Sequence, residues 1–260
     1  MNLSIRSKDL LNEFKDKVVI VTGATSGVGR QASILFAKSG MQVVAAGRNQ
    51  LAGNSLVKEI KESGGKILFV PTQIEIEESV QKLVEVTSNQ FGGLDFALNC
   101  AGTEGRLAPI TEQKESDWNS VININLKGVW FSMKNEIPAM LKCGSGAIVN
   151  ISSQLTERGL IGASLYTASK AGVNALTRVA AVEYGKFIRV NAISPGAIET
   201  PMLERMASEE VREQLKIQNP LGKIANTQDI ANAVLWLFSS QSGHINGQNI
   251  TIDGGHSLLI

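Results

Sequence analysis

The sequence predicts an α/β fold: a doubly wound, mostly parallel sheet of seven strands, helices on both faces, in a single domain. Three observations predict it. Runs such as Val18-Val-Ile-Val21 are apolar at every position, the pattern of a central parallel strand covered on both sides. Such runs alternate with helical periodicity along the chain, and right-handed crossovers between parallel strands put helices on both faces. A glycine-rich turn, Gly23-Ala-Thr-Ser-Gly-Val-Gly29, joins the first run to the first helix.

The elements follow in order. Residues 1–16 form an N-terminal extension in which Leu10, Leu11 and Phe14 share one helical face, and residues 17–260 form the domain. Lys17-Val-Val-Ile-Val-Thr22 is the first strand. The glycine turn then points a helix N-terminus at the carboxyl edge of the sheet. Free backbone N–H groups and the helix dipole there favour a pyrophosphate, and glycine lets the backbone lie against it. The first helix turns Leu35 and Phe36 inward and stops at Gly40. The second strand, from Gln42, ends in Ala46-Gly47-Arg48. An acidic side chain at that place would hold the ribose 2′-hydroxyl of NAD. Here no carboxylate repels a 2′-phosphate, and Arg48 is placed to pair with one, which favours NADP(H) over NAD(H).

A helix over 50–63, a strand over 66–70, a helix over 76–91 and a strand over 94–98 come next. The last of these opens into Asn99-Cys-Ala-Gly102, whose small residues allow close approach of a nucleoside. A long helix is predicted over 117–141, carrying Asn125 between Ile124 and Leu126. The fifth strand covers 146–151 and leads to Ser153; 154–163 is a loop, and 164–185 a helix. The sixth strand, 187–193, ends in Ser194-Pro-Gly-Ala-Ile-Glu-Thr200. Residues 201–219 are charged, Met-rich and helical, and read as a flap; a capped helix over 227–239 and a last strand over 248–252 complete the chain.

The chain has 260 residues, 43% hydrophobic and 19% charged, with a net charge of +1 and a pI near 7.7. That balance gives no sign of a nucleic-acid or membrane partner. No uncharged run is long enough to span a bilayer, and the N-terminus lacks the apolar core of a signal peptide. Two cysteines, Cys100 and Cys143, suit a reducing cytoplasm better than a disulfide framework. His244 and His256 lack metal-ligand spacing and read as loop histidines, so no metal site is expected.

Chemistry concentrates between Ser153 and Lys170. Tyr166 and Lys170 stand four residues apart, which stacks phenol and ammonium on one helical face. A free phenol titrates near pH 10, and a cation one turn away lowers that value. The phenol then gives and takes a proton near neutrality. Ser153 adds a hydroxyl at the sheet edge where open α/β sheets bind ligands.

Taken together, Thr22-Gly-x-x-x-Gly-x-Gly29, Asn99-x-Ala-Gly102, Asn125, Ser153, Tyr166-x-x-x-Lys170, Pro195-Gly196 and Asp253-Gly-Gly resemble the short-chain dehydrogenase/reductase family, over nearly all of 17–253. The resemblance implies a Rossmann-type fold and a nicotinamide-dependent oxidoreductase that interconverts a carbonyl and a secondary alcohol. It assigns Tyr166 as proton donor and acceptor. Ser153 orients the substrate oxygen, Lys170 lowers the phenol's pKa and holds the nicotinamide ribose, and Asn125 keeps a water in a proton path. It sets Gly23, Ser26, Gly27, Val28 and Gly29 along the pyrophosphate, and Asn99 and Gly102 beside the ribose. Pro195, Gly196, Ile198 and Thr200 surround the carboxamide. Thr25, Arg48, Gln73, Ile74, Ala101, Tyr166 and Lys170 complete the expected cofactor contacts. Two departures stand out: Gln73 replaces the usual aspartate at the adenine, and Cys100 the usual second asparagine. The resemblance also implies a homotetramer or homodimer. Two other roles stay open beside a small-molecule carbonyl or alcohol substrate: a 3-oxoacyl thioester reductase serving an acyl carrier protein, and a catalytically silent nucleotide-binding regulator.

Overall fold

Alternation along each strand builds two cores. In β1 (Val18–Thr22) Val19 and Val21 face one side of the sheet, and Val18 and Ile20 the other. A computed structural model describes residues 12–259 of the chain. The remaining strands are β2 (Gln42–Gly47), β3 (Lys66–Pro71), β4 (Phe96–Asn99), β5 (Gly146–Ile151), β6 (Ile188–Pro195) and β7 (Asn249–Ile252). They form one seven-stranded sheet in the order β3-β2-β1-β4-β5-β6-β7. Every pairing is parallel, where a mostly parallel sheet was expected.

On one face lie α1 (Gly27–Lys38), α2 (Gln50–Glu62) and α9 (Thr227–Phe238). They bring Phe36, Leu56, Ile60, Val234 and Phe238 onto Val19, Val21 and Val43. On the other lie α3 (Glu77–Phe91), α5 (Gly128–Cys143) and α6 (Ser164–Tyr184), which bury Leu83, Met133, Met140 and Val173 against Val18, Ile20 and Val44. The strand order reverses between β1 and β4, which leaves a crevice at their carboxyl ends.

Several elements differ from expectation. The helix predicted over 117–141 starts at Glu115 as α4 (Glu115–Ile122), passes through a π turn at Asn123–Lys127 and continues as α5. The π turn carries Asn125, which is fully buried. The flap over 201–219 is two helices, α7 (Pro201–Met206) and α8 (Glu209–Gln218). Ala207 is extended between them, and the Ser208 hydroxyl caps the second by accepting from the Val211 N–H. In the extension, Phe14 is 2% exposed and packs edge-on against Phe96, while Leu10 and Leu11 lie outside the described residues. At the other end Leu258 and Leu259 are exposed, and Ile260 lies outside the described residues. No described helix is long and apolar enough to cross a membrane.

Candidate active site

The glycine turn and the loop after β4 meet at the crevice. The Thr22 hydroxyl accepts from the N–H groups of Cys100 and Ala101, at 3.1 and 3.2 Å. That contact brings the two loops so close that a Cβ on Gly23 would lie 2.9 Å from the Ala101 backbone. Gly23 also has φ +68°, which only glycine adopts without strain. Ser26 caps α1 in an extended conformation without a side-chain hydrogen bond, and the first turn holds no acidic residue. The helix N-terminus is therefore open to an anion. A dinucleotide fits this cradle: glycines where a Cβ would collide, free N–H groups, and no carboxylate to repel phosphate.

From this turn one cleft of about 750 Å³ runs along the sheet edge. Ser153, Tyr166 and Lys170 line it, as do Gly23, Thr25, Ser26, Gly27, Val28, Arg48, Ile74, Ala101, Gly102, Pro195, Gly196, Ile198 and Thr200. Four expected contacts lie off its wall. Gly29 is buried under Gly23 in the first turn of α1. Gln73 is exposed, and Thr72, Ile74 and Glu75 line the cleft in its place. The Asn99 side chain points inward, its Nδ2 donating to the Glu136 carboxylate at 3.1 Å and to Asn150 Oδ1 at 3.0 Å. Asn125 also lies behind the wall. Its Oδ1 accepts from the Thr103 N–H at 2.8 Å, and its Nδ2 donates to the Thr103 carbonyl at 2.9 Å and to the Ser169 hydroxyl at 3.1 Å. The π turn thereby ties the loop after β4 to α6, one residue from Lys170.

The i, i+4 spacing places Lys170 Nζ over the Tyr166 ring, 5.8 Å from its centroid. Lys170 is 4% exposed and donates to the Ile151 carbonyl at 2.8 Å. Ser153 follows β5 by two residues, and its hydroxyl accepts from the Leu155 N–H at 3.2 Å. The electrostatics depart from expectation. Burial raises the Tyr166 phenol above its ordinary value, although the Ser153 hydroxyl pulls it down. Burial also lowers the Lys170 ammonium to about 8. The expected lowering of the phenol by Lys170 is absent because the ammonium faces the ring and a carbonyl, and desolvation penalises both charged forms. Tyr166 is thus a protonated donor in the free protein.

Beyond the triad the walls are apolar: Leu107, Leu155, Leu160, Met202, Met206 and Leu215. α7 and α8 supply the last three, which makes the flap one wall of the cleft. Arg205 pairs with Glu104 at 2.6 and 3.2 Å and ties α7 to the loop after β4. Gln154, Arg158 and His256 interrupt the apolar lining. Sequence reasoning set His256 aside as a loop residue; the signal it lacked was the fold of the Asp253-Gly-Gly turn, which carries His256 to the cleft. Gln154 was passed over as the first residue of the loop 154–163, and the available signal was its place directly after Ser153.

A family profile described as enoyl-(acyl carrier protein) reductase matches residues 23–257. The chain is 40% identical over 240 residues to a 3-oxoacyl-[acyl-carrier-protein] reductase of Thermotoga maritima, covering 92% of this chain and 97% of the relative. It is 36% identical over 251 residues to a cyclohexanol dehydrogenase of an Acinetobacter species, covering 96% and 98%. Among solved structures, an actinorhodin polyketide ketoreductase with NADPH superposes with a TM-score of 0.89 at 28% identity, covering 94% of this chain and 98% of that one.

Proposed function

The chain belongs to the short-chain dehydrogenase/reductase family, and on that premise we propose that Ser153, Tyr166 and Lys170 carry its oxidoreductase chemistry, with NADP(H) preferred. The protein is an enzyme that transfers a hydride between a nicotinamide cofactor and a carbonyl or secondary alcohol. The observation that carries the assignment is the single cleft joining Ser153, Tyr166 and Lys170 to the glycine turn.

The nicotinamide supplies or accepts the hydride when bound. Gly23, Ser26, Gly27 and Val28 would cradle its pyrophosphate, with Thr25 beside them, and Ile74, Ala101 and Gly102 would border the adenosine half. Pro195, Gly196, Ile198 and Thr200 would hold the carboxamide. In the reducing direction the Tyr166 hydroxyl passes its proton to the substrate oxygen as the carbonyl carbon is reduced. The Ser153 hydroxyl donates to that same oxygen and polarises it. Lys170, held over the ring by its bond to the Ile151 carbonyl, would hold the nicotinamide ribose beside the phenol. Oxidation runs the same steps backwards. Asn125 acts through its side-chain amide: by clamping the Thr103 backbone to the Ser169 hydroxyl it fixes the relative position of cofactor loop and catalytic helix.

NADP(H) preference rests on Arg48, an exposed cation at the cleft with no carboxylate paired to it among the described residues. A free ketone or alcohol fits the apolar walls. The carrier-bound 3-oxoacyl thioester is the second reading, favoured by the 40% identity to the Thermotoga maritima reductase. We place the enzyme in a reducing cytoplasm, consistent with the free thiols of Cys100 and Cys143. It forms a homotetramer or homodimer through α5 and α6, which expose Trp130, Val179 and Val182.

The test is a panel of ketones, alcohols and 3-oxoacyl thioesters followed by nicotinamide absorbance with both cofactors. Turnover of any member by the parent protein supports the reading. No absorbance change with either cofactor across the panel contradicts it.

A further inference from the structure

Gln154 follows Ser153 directly and lines the same cleft, yet it is 7% exposed. One half of its amide is used: Nε2 lies 3.4 Å from Nδ1 of His256. The other half is not, because the buried Oε1 has no hydrogen-bond partner. The group holding the amide is itself well anchored. His256 sits on a turn whose Asp253 carboxylate accepts from the N–H groups of Gly255 and Ser257, at 2.9 and 2.7 Å. Arg158 Nη1 donates to the His256 carbonyl at 3.2 Å and joins this turn to the loop after Ser153. Gly196 faces the amide, and a Cβ there would stand 3.4 Å from Oε1. Buried amide oxygens are ordinarily paired, so one left alone at a ligand cleft marks a group that pairs on binding.

We propose that the Gln154 amide, oriented by His256, binds a second hydroxyl of the substrate next to the reacting carbon, so that the preferred substrates are vicinal diols and the matching α-hydroxyketones. This rests on the oxidoreductase reading above. Ser153 and Gln154 are consecutive, so the group that holds the reacting oxygen and the group that holds the second one are neighbours. A hydroxyl both donates and accepts, and it satisfies the amide in either orientation. With Nε2 held at His256 and Oε1 left for the ligand, a carboxylate, which only accepts, would be repelled. The terminal torsion of glutamine is broad, so the amide swings to the ligand without leaving a rotamer well. Around it Leu155, Leu160, Met202 and Met206 accommodate the carbon skeleton.

The experiment compares cyclohexane-1,2-diol with cyclohexanol in the parent and in Gln154→Met. The readout is the ratio of the two kcat/KM values, together with the cofactor Kd. A site built for a substrate hydroxyl discriminates strongly against the analogue that lacks it. The parent should favour the diol by about tenfold or more, and Gln154→Met should lose about that factor in the ratio while cofactor Kd stays unchanged. An unchanged ratio overturns the proposal. So does a weakened cofactor Kd with the ratio intact, which would give the amide to the nicotinamide carboxamide instead. Should Gln154→Met fail to fold, Gln154→Asn keeps the amide, withdraws it by one methylene and is read by the same ratio. If the parent turns over neither alcohol, the melting temperature of the cofactor-bound protein with each decides. A larger rise with the diol, lost in the variant, supports the proposal, and equal rises overturn it.

Discussion

The Lys170 ammonium lies 5.8 Å from the centroid of the Tyr166 ring and gives its hydrogen bond to the Ile151 carbonyl, not to the phenol. Lys170 is 4% exposed and Tyr166 is partly buried, and removal from water moves each away from its charged form. The buried charge of Lys170 therefore works against stability, as expected of a group whose position serves chemistry.

Replacing Lys170 should separate activity from stability. Its ordinary value of 10.5 is lowered to about 8 in the folded protein. Below pH 8 both states carry the charge, and the folded state bears the full cost of burying it. Between 8 and 10.5 the unfolded state holds more protons, so stability rises with pH. Lys170→Met should raise stability at pH 7 by up to about 3 kcal/mol while abolishing most turnover, and the gain should shrink towards pH 10.5. Denaturant midpoints at pH 7 and pH 10 check this; a variant less stable than the parent at pH 7 contradicts it.

Glu136 makes a second, opposite prediction. It is 1% exposed, and burial raises its carboxyl to about 7, with the Asn99 hydrogen bond acting against that rise. Between the ordinary value of 4.5 and about 7 the folded state holds the extra proton, so stability falls as pH rises across that window. Glu136→Gln keeps the shape and an acceptor for Asn99 but does not titrate. Its melting temperature should match the parent's near pH 4.5 and exceed it at pH 8. Parallel melting-temperature profiles from pH 4.5 to 8 would show that Glu136 does not titrate in this way.

Cofactor choice turns on Arg48. Arg48→Asp removes the cation and restores a carboxylate at the end of β2, where it would accept from a ribose hydroxyl and repel a 2′-phosphate. Affinity for NADPH should fall by about tenfold or more while that for NADH holds or improves. Titration of intrinsic fluorescence measures both. Equal losses for the two nucleotides would remove Arg48 from the account.

The sheet was legible because its signals are local: strands apolar on both sides, glycine where a Cβ would collide, and a four-residue spacing that helix geometry converts into contact. What escaped depended on long-range packing. Helical periodicity runs unbroken through Asn123–Lys127, so nothing marked the π turn that lets Asn125 reach Thr103 and Ser169. Glu136, buried between Met133 and Met140 on α5, was not singled out, because an acid on a helix ordinarily faces solvent and only the packing of α5 on the sheet buries it. Gln73 was assigned to the adenine by position, yet the chain turns it to solvent and brings Glu75 to the cleft. The phenol's environment could not be read from spacing, because desolvation depends on the elements that cover it.

Tyr166→Phe tests the central claim most directly, since it removes one hydroxyl and keeps the ring against Lys170. Turnover of any substrate found by the panel should fall by at least about a thousandfold, while NADPH still raises the melting temperature as it does in the parent. A variant that turns over substrate at the parent's rate would show that the proton comes from another group.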